Sequence, residues 1–307
     1  MNLAYISHPD CLKHSNGVHH PENAARLEAI SDMLIARGLD PWLNYIDAPL
    51  ASRDDLALAH DPRMIELIFA HAPTQGLLNL DGDTAMNPYT LAAALRAAGS
   101  GLAAVDWVLQ QPLRRAFCAI RPPGHHASRI RPSGFCIFNN AAIAALHALE
   151  RHGLQRVAII DFDVHHGDGT EDIVAGDERI LFCSSFQHPY YPGSGIPPRA
   201  DNCLPVALPA GTSGATWREA VGAVWFARLA AHAPQLIFIS AGFDGHRDDE
   251  MAQFALVEDD FAWLTRQLID QADRSAAGRI VSMLEGGYDT DSLARSVYAH
   301  LRCLNDE

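Results

Sequence analysis

Six short runs rich in β-branched and apolar residues punctuate this chain, at 3–7, 116–120, 156–161, 179–184, 235–240 and 279–284, each of a strand's length and too short for a helix. Among them lie longer stretches with apolar residues at helical spacing, at 22–37, 88–110, 139–151, 216–231, 258–273 and 289–304. Parallel neighbours need a long crossover, and a helix in that crossover covers the sheet. The alternation therefore predicts an α/β fold of three layers, a mostly parallel central sheet flanked by helices. No internal repeat, low-complexity tract or linker breaks it. With 307 residues, 48% of them hydrophobic, residues 1–307 are read as one domain able to bury a sizeable core.

Ligands of open parallel sheets bind beyond the carboxyl ends of the strands, so the segment after each run is where chemistry is expected. RPPGHHAS follows the second run, DFDVHHGDG overlaps the end of the third, and SSFQHPYYPGSG, AGFDGHRDD and EGGYD follow the last three. Each carries glycine beside side chains able to move protons or ligate metals. A sheet needs none of these groups in order to fold, and their convergence on one edge points to an active site.

In an extended segment, residues two apart share a face, so Asp161, Asp163 and His165 can project one way while Phe162 and Val164 pack the other. Asp163 and His165 can then face a metal, with Asp244, from a different strand end, as the third ligand. Three protein ligands leave coordination open for water and substrate, as a catalytic site requires. The alternative, a hydrogen-bonded Asp163–His165 pair closing a turn, buries both groups without a cation for little return. Asp161 and Asp168 remain, and so do His125 and His126 of the neighbouring loop. A carboxylate accepting from one ring nitrogen fixes the tautomer and raises the basicity of the other nitrogen, which suits a general base or acid. Tyr288, after Gly286 and Gly287, is placed to offer a hydroxyl to a developing oxyanion. Taken singly, the adjacent histidines also suit a surface, and Tyr288 a packing role. His166 is left for packing or a supporting hydrogen bond.

Composition excludes some function classes. A formal charge of −14 disfavours nonspecific nucleic-acid binding and is compatible with cationic substrates such as lysine side chains or polyamines. The apolar runs fall short of a membrane span, and residues 1–15 lack the basic start and apolar middle of a secretory signal, so a cytoplasmic protein with no membrane partner is expected. Six scattered cysteines with no CxxC pair suggest neither a disulfide framework nor a cysteine zinc site.

The motifs RPPGHH, SGFCIFNN, DFDVHHGDGT, YYPGSG, SAGFD and LEGGY, in this order, with HHPENAARLEAI upstream, resemble those of the histone deacetylase and acetylpolyamine amidohydrolase family over nearly the whole chain. The resemblance implies an arginase-like fold and a metal-dependent hydrolase that removes acyl groups from amines. On matching positions, Asp163, His165 and Asp244 would hold zinc. His126, oriented by Asp168, would act as base and then acid, His125 paired with Asp161 would support electrostatically, and Tyr288 would polarise the carbonyl. Gly134, Phe135, Tyr191 and Gly286 fall where the family lines its narrow acyl-lysine tunnel, and Arg26 near the tunnel's inner end. As plain residues, Phe135 and Tyr191 also suit a core, and Arg26 an exposed helix face. A potassium ion is implied near Asp161, Asp163, His165 and Ser184. Two carboxylates and one imidazole form a relatively hard site, so ferrous iron or cobalt can stand in for zinc.

Departures from the family pattern bear on the substrate. Phe186 stands where many members carry histidine, which predicts a more apolar rim. Glu285 follows the class II and bacterial form of the motif. Met251 occupies the position of a gatekeeping acid in polyamine-selective relatives, with Glu250 one residue short. The acidic rim residue that grips a peptide backbone in some members has no obvious counterpart. The expected substrate is acyl-lysine in proteins or peptides, or a related acylated amine. The alternatives are an acetylpolyamine amidohydrolase and a non-catalytic binder of acylated amines. A ureohydrolase of the same fold would want a second aspartate where this chain has His246.

Overall fold

The computed structural model describes residues 2–306. Eight strands form one sheet: β1 (Leu3–Ser7), β2 (Asn44–Asp47), β5 (Arg115–Cys118), β6 (Val157–Asp161), β7 (Ile180–Gln187), β8 (Cys203–Leu208), β9 (Ile237–Ala241) and β10 (Ile280–Leu284). Their order is β2-β1-β5-β10-β9-β6-β7-β8, and every pairing is parallel. A two-stranded antiparallel hairpin, β3 (Leu78–Asn79) and β4 (Ala85–Met86), stands apart from it. The sheet is α/β and parallel throughout, in keeping with the alternation in the sequence.

The helices are α1 (Asp10–Lys13), α2 (Ala25–Ala36), α3 (Arg53–Leu56), α4 (Pro62–Ala70), α5 (Thr90–Leu109), α6 (Asn140–His152), α7 (Asp168–Val174), α8 (Gly214–His232), α9 (Glu258–Ser275) and α10 (Thr290–Leu304). One layer is built on α5 and α6, which pack on each other and on the central strands. The other has α10 against α2 and α9, with α8 beside α9 over β7 and β8. Among the described residues α5 is the one helix long and apolar enough to cross a membrane, but most of it is buried in this core.

The central strands β5, β6, β9 and β10 are buried at every position, which is why they read as mostly apolar runs, each with a single buried polar or charged residue: Arg115, Asp161, Ser240 and Ser282. The two edge strands escaped the sequence reading. β2 alternates half-buried with exposed residues over only four positions, and β8 contains Pro205, tolerated because an edge strand has one unpaired side. Strand polarity brings the segments after β5, β6, β7, β9 and β10 to one edge of the sheet.

Candidate active site

At the end of β6 the chain doubles back through its own carboxylates. Asp161 Oδ1 accepts the backbone N–H of Asp163 at 3.1 Å, and Asp163 Oδ1 that of His165 at 2.9 Å. Phe162 and Val164 are buried in the core. His165 Nδ1 lies 3.1 Å from both Asp163 Oδ1 and Asp244 Oδ2. Asp163, His165 and Asp244 thus offer three ligand atoms within 4.8 Å of one another, all on buried residues. Asp163 Oδ2 is held by Gly286 N–H at 2.9 Å, and Asp244 Oδ1 by Val164 N–H at 3.0 Å. Glycine is required beside them, since a Cβ on Gly242 would sit 2.0 Å from Asp163 Oδ2 and one on Gly286 2.2 Å from Asp244 Oδ2.

The loop after β5 contributes the two other histidines. His125 Nδ1 is 3.1 Å from Asp161 Oδ2 and His126 Nδ1 2.7 Å from Asp168 Oδ1, with the two rings 4.0 Å apart. Asp168 is the first residue of α7, so this short helix aims its carboxylate at the loop. The two imidazoles are tuned apart. Burial, then the charge of His125, pushes His126 down to about 4 against the pull of Asp168. Burial opposes charge on His125 too, but the carboxylates of Asp163 and Asp161 outweigh it and raise His125 well above the usual imidazole value. Burial and the charge of Asp163 push Asp244 up to about 7, a strain between two buried carboxylates that a cation would relieve.

A cavity of about 220 Å³ opens over this cluster, lined by Asp83, His126, Gly134, Phe135, His165, Tyr190, Tyr191, Met251 and Tyr288. A larger cleft of about 620 Å³ at the β1–β2 edge shares none of these residues. Gly134 and Phe135 both have left-handed backbone, φ 54° and 68°, and a Cβ on Gly134 would fall 2.4 Å from the His126 ring. Phe135 meets Tyr288 edge-on at 5.8 Å, Tyr191 meets His126 at 5.0 Å, and Tyr190 stacks on His165 at 5.7 Å. Burial raises the Tyr288 hydroxyl well above its ordinary value, which keeps its proton available for donation.

Several residues were missed or misplaced from the sequence. Tyr190 sits beside Tyr191 in a quoted motif, yet it is Tyr190 that stacks on His165, and its hydroxyl donates to the Met251 carbonyl at 2.8 Å. Asp83, from the β3–β4 turn, supplies an acid to the cavity wall that no strand or helix pattern announced. Arg26 does not lie on an exposed helix face. It is fully buried, donates from Nε to the Gly287 carbonyl at 2.6 Å and to the Glu285 carbonyl, and lies 4.9 Å over the Tyr288 ring. Glu22 joins it to Arg121 of RPPGHH, whose guanidinium donates to Glu22 Oε2 at 2.8 Å. Phe186 does not form a rim, because it is buried on β7 with its ring 4.5 Å from that of His166. Met251 lines the cavity, while Glu250 lies just outside in an adjoining cleft shared by Met251 and Tyr288. His166 bridges Ser184 Oγ at 3.0 Å and Glu171 Oε2 at 3.1 Å. Ser184 faces Asp161 across the β6–β7 register.

The parallel sheet with helices on both faces and this loop-bearing edge is the arginase-like α/β fold. The sequence profile of the histone deacetylase domain matches residues 20–304, and the chain belongs to the histone deacetylase family. The Probable deacetylase of Archaeoglobus fulgidus is 33% identical, covering 95% of this chain and 82% of that protein. Type-2 histone deacetylase 2 of Dictyostelium discoideum is 42% identical over 73% of this chain, which spans only 14% of that much longer protein. The human protein named Polyamine deacetylase HDAC10 is 35% identical over 90% of this chain and 43% of its own length. Among solved structures, the HDA15 HD domain superposes with a TM-score of 0.93 at 29% identity, over 100% of this chain and 88% of that one.

Proposed function

We propose that residues 1–307 form one zinc-dependent deacylase domain that hydrolyses acetyl or other acyl amides of lysine side chains, or of related acylated amines. The observation that carries the reading is the buried Asp163–His165–Asp244 cluster at the inner end of an aromatic-walled cavity, with two Asp–His pairs beside it. Membership of the family supports the reaction. The cavity's small volume and its Phe135, Tyr190, Tyr191 and Met251 walls favour a slender aliphatic chain over a bulky group.

The donor set fits zinc: two carboxylates and an imidazole, with glycines making room for the carboxylates. Bound there, the ion would supply Lewis acidity to the amide carbonyl and acidify the attacking water. Ferrous iron or cobalt suits the same donors. A potassium ion beside Asp161, Asp163, His165 and Ser184 belongs to the reading as well.

The residues divide the remaining work. His126 stays neutral near pH 7, and donation from its Nδ1–H to Asp168 leaves Nε2 as the acceptor for a proton from water. The same nitrogen then returns that proton to the departing amine. His125, carrying positive charge beside Asp161, steadies the negative charge that develops. Tyr288 donates its hydroxyl hydrogen to the carbonyl oxygen as the carbon becomes tetrahedral. Arg26 and Gly286 hold the segment carrying Tyr288, and Gly134, Phe135, Tyr191 and Met251 enclose the acyl-bearing chain. Six unpaired, buried cysteines accord with a reducing cytoplasm.

Acetylated polyamines are the second reading, favoured by Asp83 at the cavity and Glu250 beside it, acids that suit a distal amine. Turnover of acetyl-lysine peptides, longer acyl-lysine peptides and acetylated polyamines by zinc-loaded protein, with and without chelator, decides between them. Chelator-sensitive release from peptides is expected. Release confined to polyamines selects the second reading. Binding without release from any of the three overturns both and leaves a binder of acylated amines.

A further inference from the structure

A second group of metal-binding side chains lies on the helical layer, outside the cavity and its loops. Asp106, on α5, faces His147 and His152 of α6, and the three ligand atoms lie within 4.8 Å of one another. His152 is the last residue of α6, where Gly153 in left-handed backbone ends the helix, and its ring meets that of His147 edge-on at 5.1 Å. Both Nε2 atoms point to one carboxylate oxygen: Asp106 Oδ1 is 3.3 Å from that of His147 and 2.8 Å from that of His152. No arginine or lysine pairs with Asp106, so among the described residues the two imidazoles are its only charge partners.

The spacing suits an ion. Metal–ligand bonds of about 2.1 Å in tetrahedral geometry set neighbouring donor atoms about 3.4 Å apart; the His147 distance of 3.3 Å matches this, and the His152 distance of 2.8 Å has to open by roughly 0.6 Å, within reach of a rotation of the exposed Asp106 side chain. The donors stand on two long helices packed together, so little ordering is required. They are also reachable, with side-chain exposures of 57% for Asp106, 13% for His147 and 30% for His152.

We propose that Asp106, His147 and His152 form a second metal site, one that takes a divalent transition-metal ion and staples α5 to α6. Two imidazoles and one carboxylate select Zn²⁺, Cu²⁺ or Ni²⁺, whereas Mg²⁺ and Ca²⁺ want all-oxygen shells. The site is independent of the proposed chemistry at Asp163, His165 and Asp244.

Metal counting by equilibrium dialysis against Zn²⁺ tests it, on the full chain and on a His147→Ala/His152→Ala variant. The wild-type chain is expected to hold one equivalent more than the variant, while deacylase turnover is the same in both. An Asp163→Asn/Asp244→Asn variant separates the two sites, because it should keep the equivalent that the histidine variant loses. Cu²⁺ electron paramagnetic resonance on that aspartate variant should show hyperfine coupling to two imidazole nitrogens, which vanishes when His147 and His152 are also replaced. Equal zinc content in the wild-type chain and the histidine variant, or Mg²⁺ filling the site as readily as Zn²⁺, overturns the proposal. His147→Gln/His152→Gln serves if the alanine variant does not fold.

Discussion

Each oxygen of Asp163 and Asp244 has an assigned neighbour, and the glycines around them leave no room for a methyl group. Gly286→Ala would force a Cβ to within 2.2 Å of Asp244 Oδ2 and 2.6 Å of Asp163 Oδ2. We expect it to remove one tightly held zinc equivalent and abolish turnover while the far-ultraviolet circular dichroism is retained; an active, fully zinc-loaded alanine variant would count against the assignment. Tyr288→Phe removes a single hydroxyl and leaves the ring against Phe135 and Arg26. Turnover should fall by roughly 10²-fold or more with zinc content unchanged, the size of effect seen when one oxyanion donor is lost. Near-wild-type kcat would assign Tyr288 to packing instead. The residues with the densest chemistry were legible because they crowd into quoted loops: DFDVHHGDG supplies Asp161, Asp163, His165 and Asp168 from one short segment. Glu22, Arg26, Arg121 and Asp83 were less so. The contacts that tie Glu22, Arg26 and Arg121 to the site lie far along the chain, as in the 99-residue separation of Arg121 from Glu22 and the 261-residue separation of Arg26 from Gly287, and no local period marks such a pairing.

At the level of elements, the sequence revealed what is buried on both sides and concealed what is not. The central strands announce themselves because every position is buried and most are apolar, whereas β2, β8 and the two-residue strands of the hairpin carry edge alternation, a proline or too few residues to show a period. The short helix α7 is not among the stretches with helical spacing, since it begins inside the HHGDGT turn. Its position has a consequence for the cavity. Glu171 on α7 accepts from His166 through Oε2 and from the backbone N–H of Arg199 through Oε1 at 3.1 Å, and a Cβ on Gly195 would press 2.8 Å from the His166 ring. α7 and His166 thereby fix the segment 188–199 that presents Tyr190 and Tyr191. Glu171→Ala is expected to raise KM for acylated substrates several-fold with a smaller change in kcat, and Glu171→Gln to restore most of the affinity. A loss confined to kcat, with KM unmoved, would show that the segment is held in place by other means.

Across the whole molecule, the same burial that tunes His126 also stores acid sensitivity far from the cavity. His300, on α10, is wholly buried between the hydroxyls of Thr265 at 2.7 Å and Ser282 at 2.9 Å, and burial alone pushes it down to about 3. Burial likewise holds His60 down to about 4. A histidine whose folded pKa is depressed stays neutral in the folded chain and takes up a proton in the unfolded chain below about 6.5, so its contribution is present above that value and lost as pH falls toward 3. His125 works in the opposite sense, because its folded value is raised, and the net slope of the wild-type chain mixes both signs. A difference measurement isolates His300. His300→Gln keeps a hydrogen-bonding side chain between the two hydroxyls but removes the titration, so the wild-type chain should lose about 2 kcal/mol more stability than the variant between pH 7.5 and pH 5. Urea unfolding of both proteins at the two pH values reads this directly. A stability gap that stays constant with pH would mean that His300 binds a proton in the folded chain as readily as in the unfolded one, and would overturn the assignment of a depressed value to its burial between α9, α10 and β10.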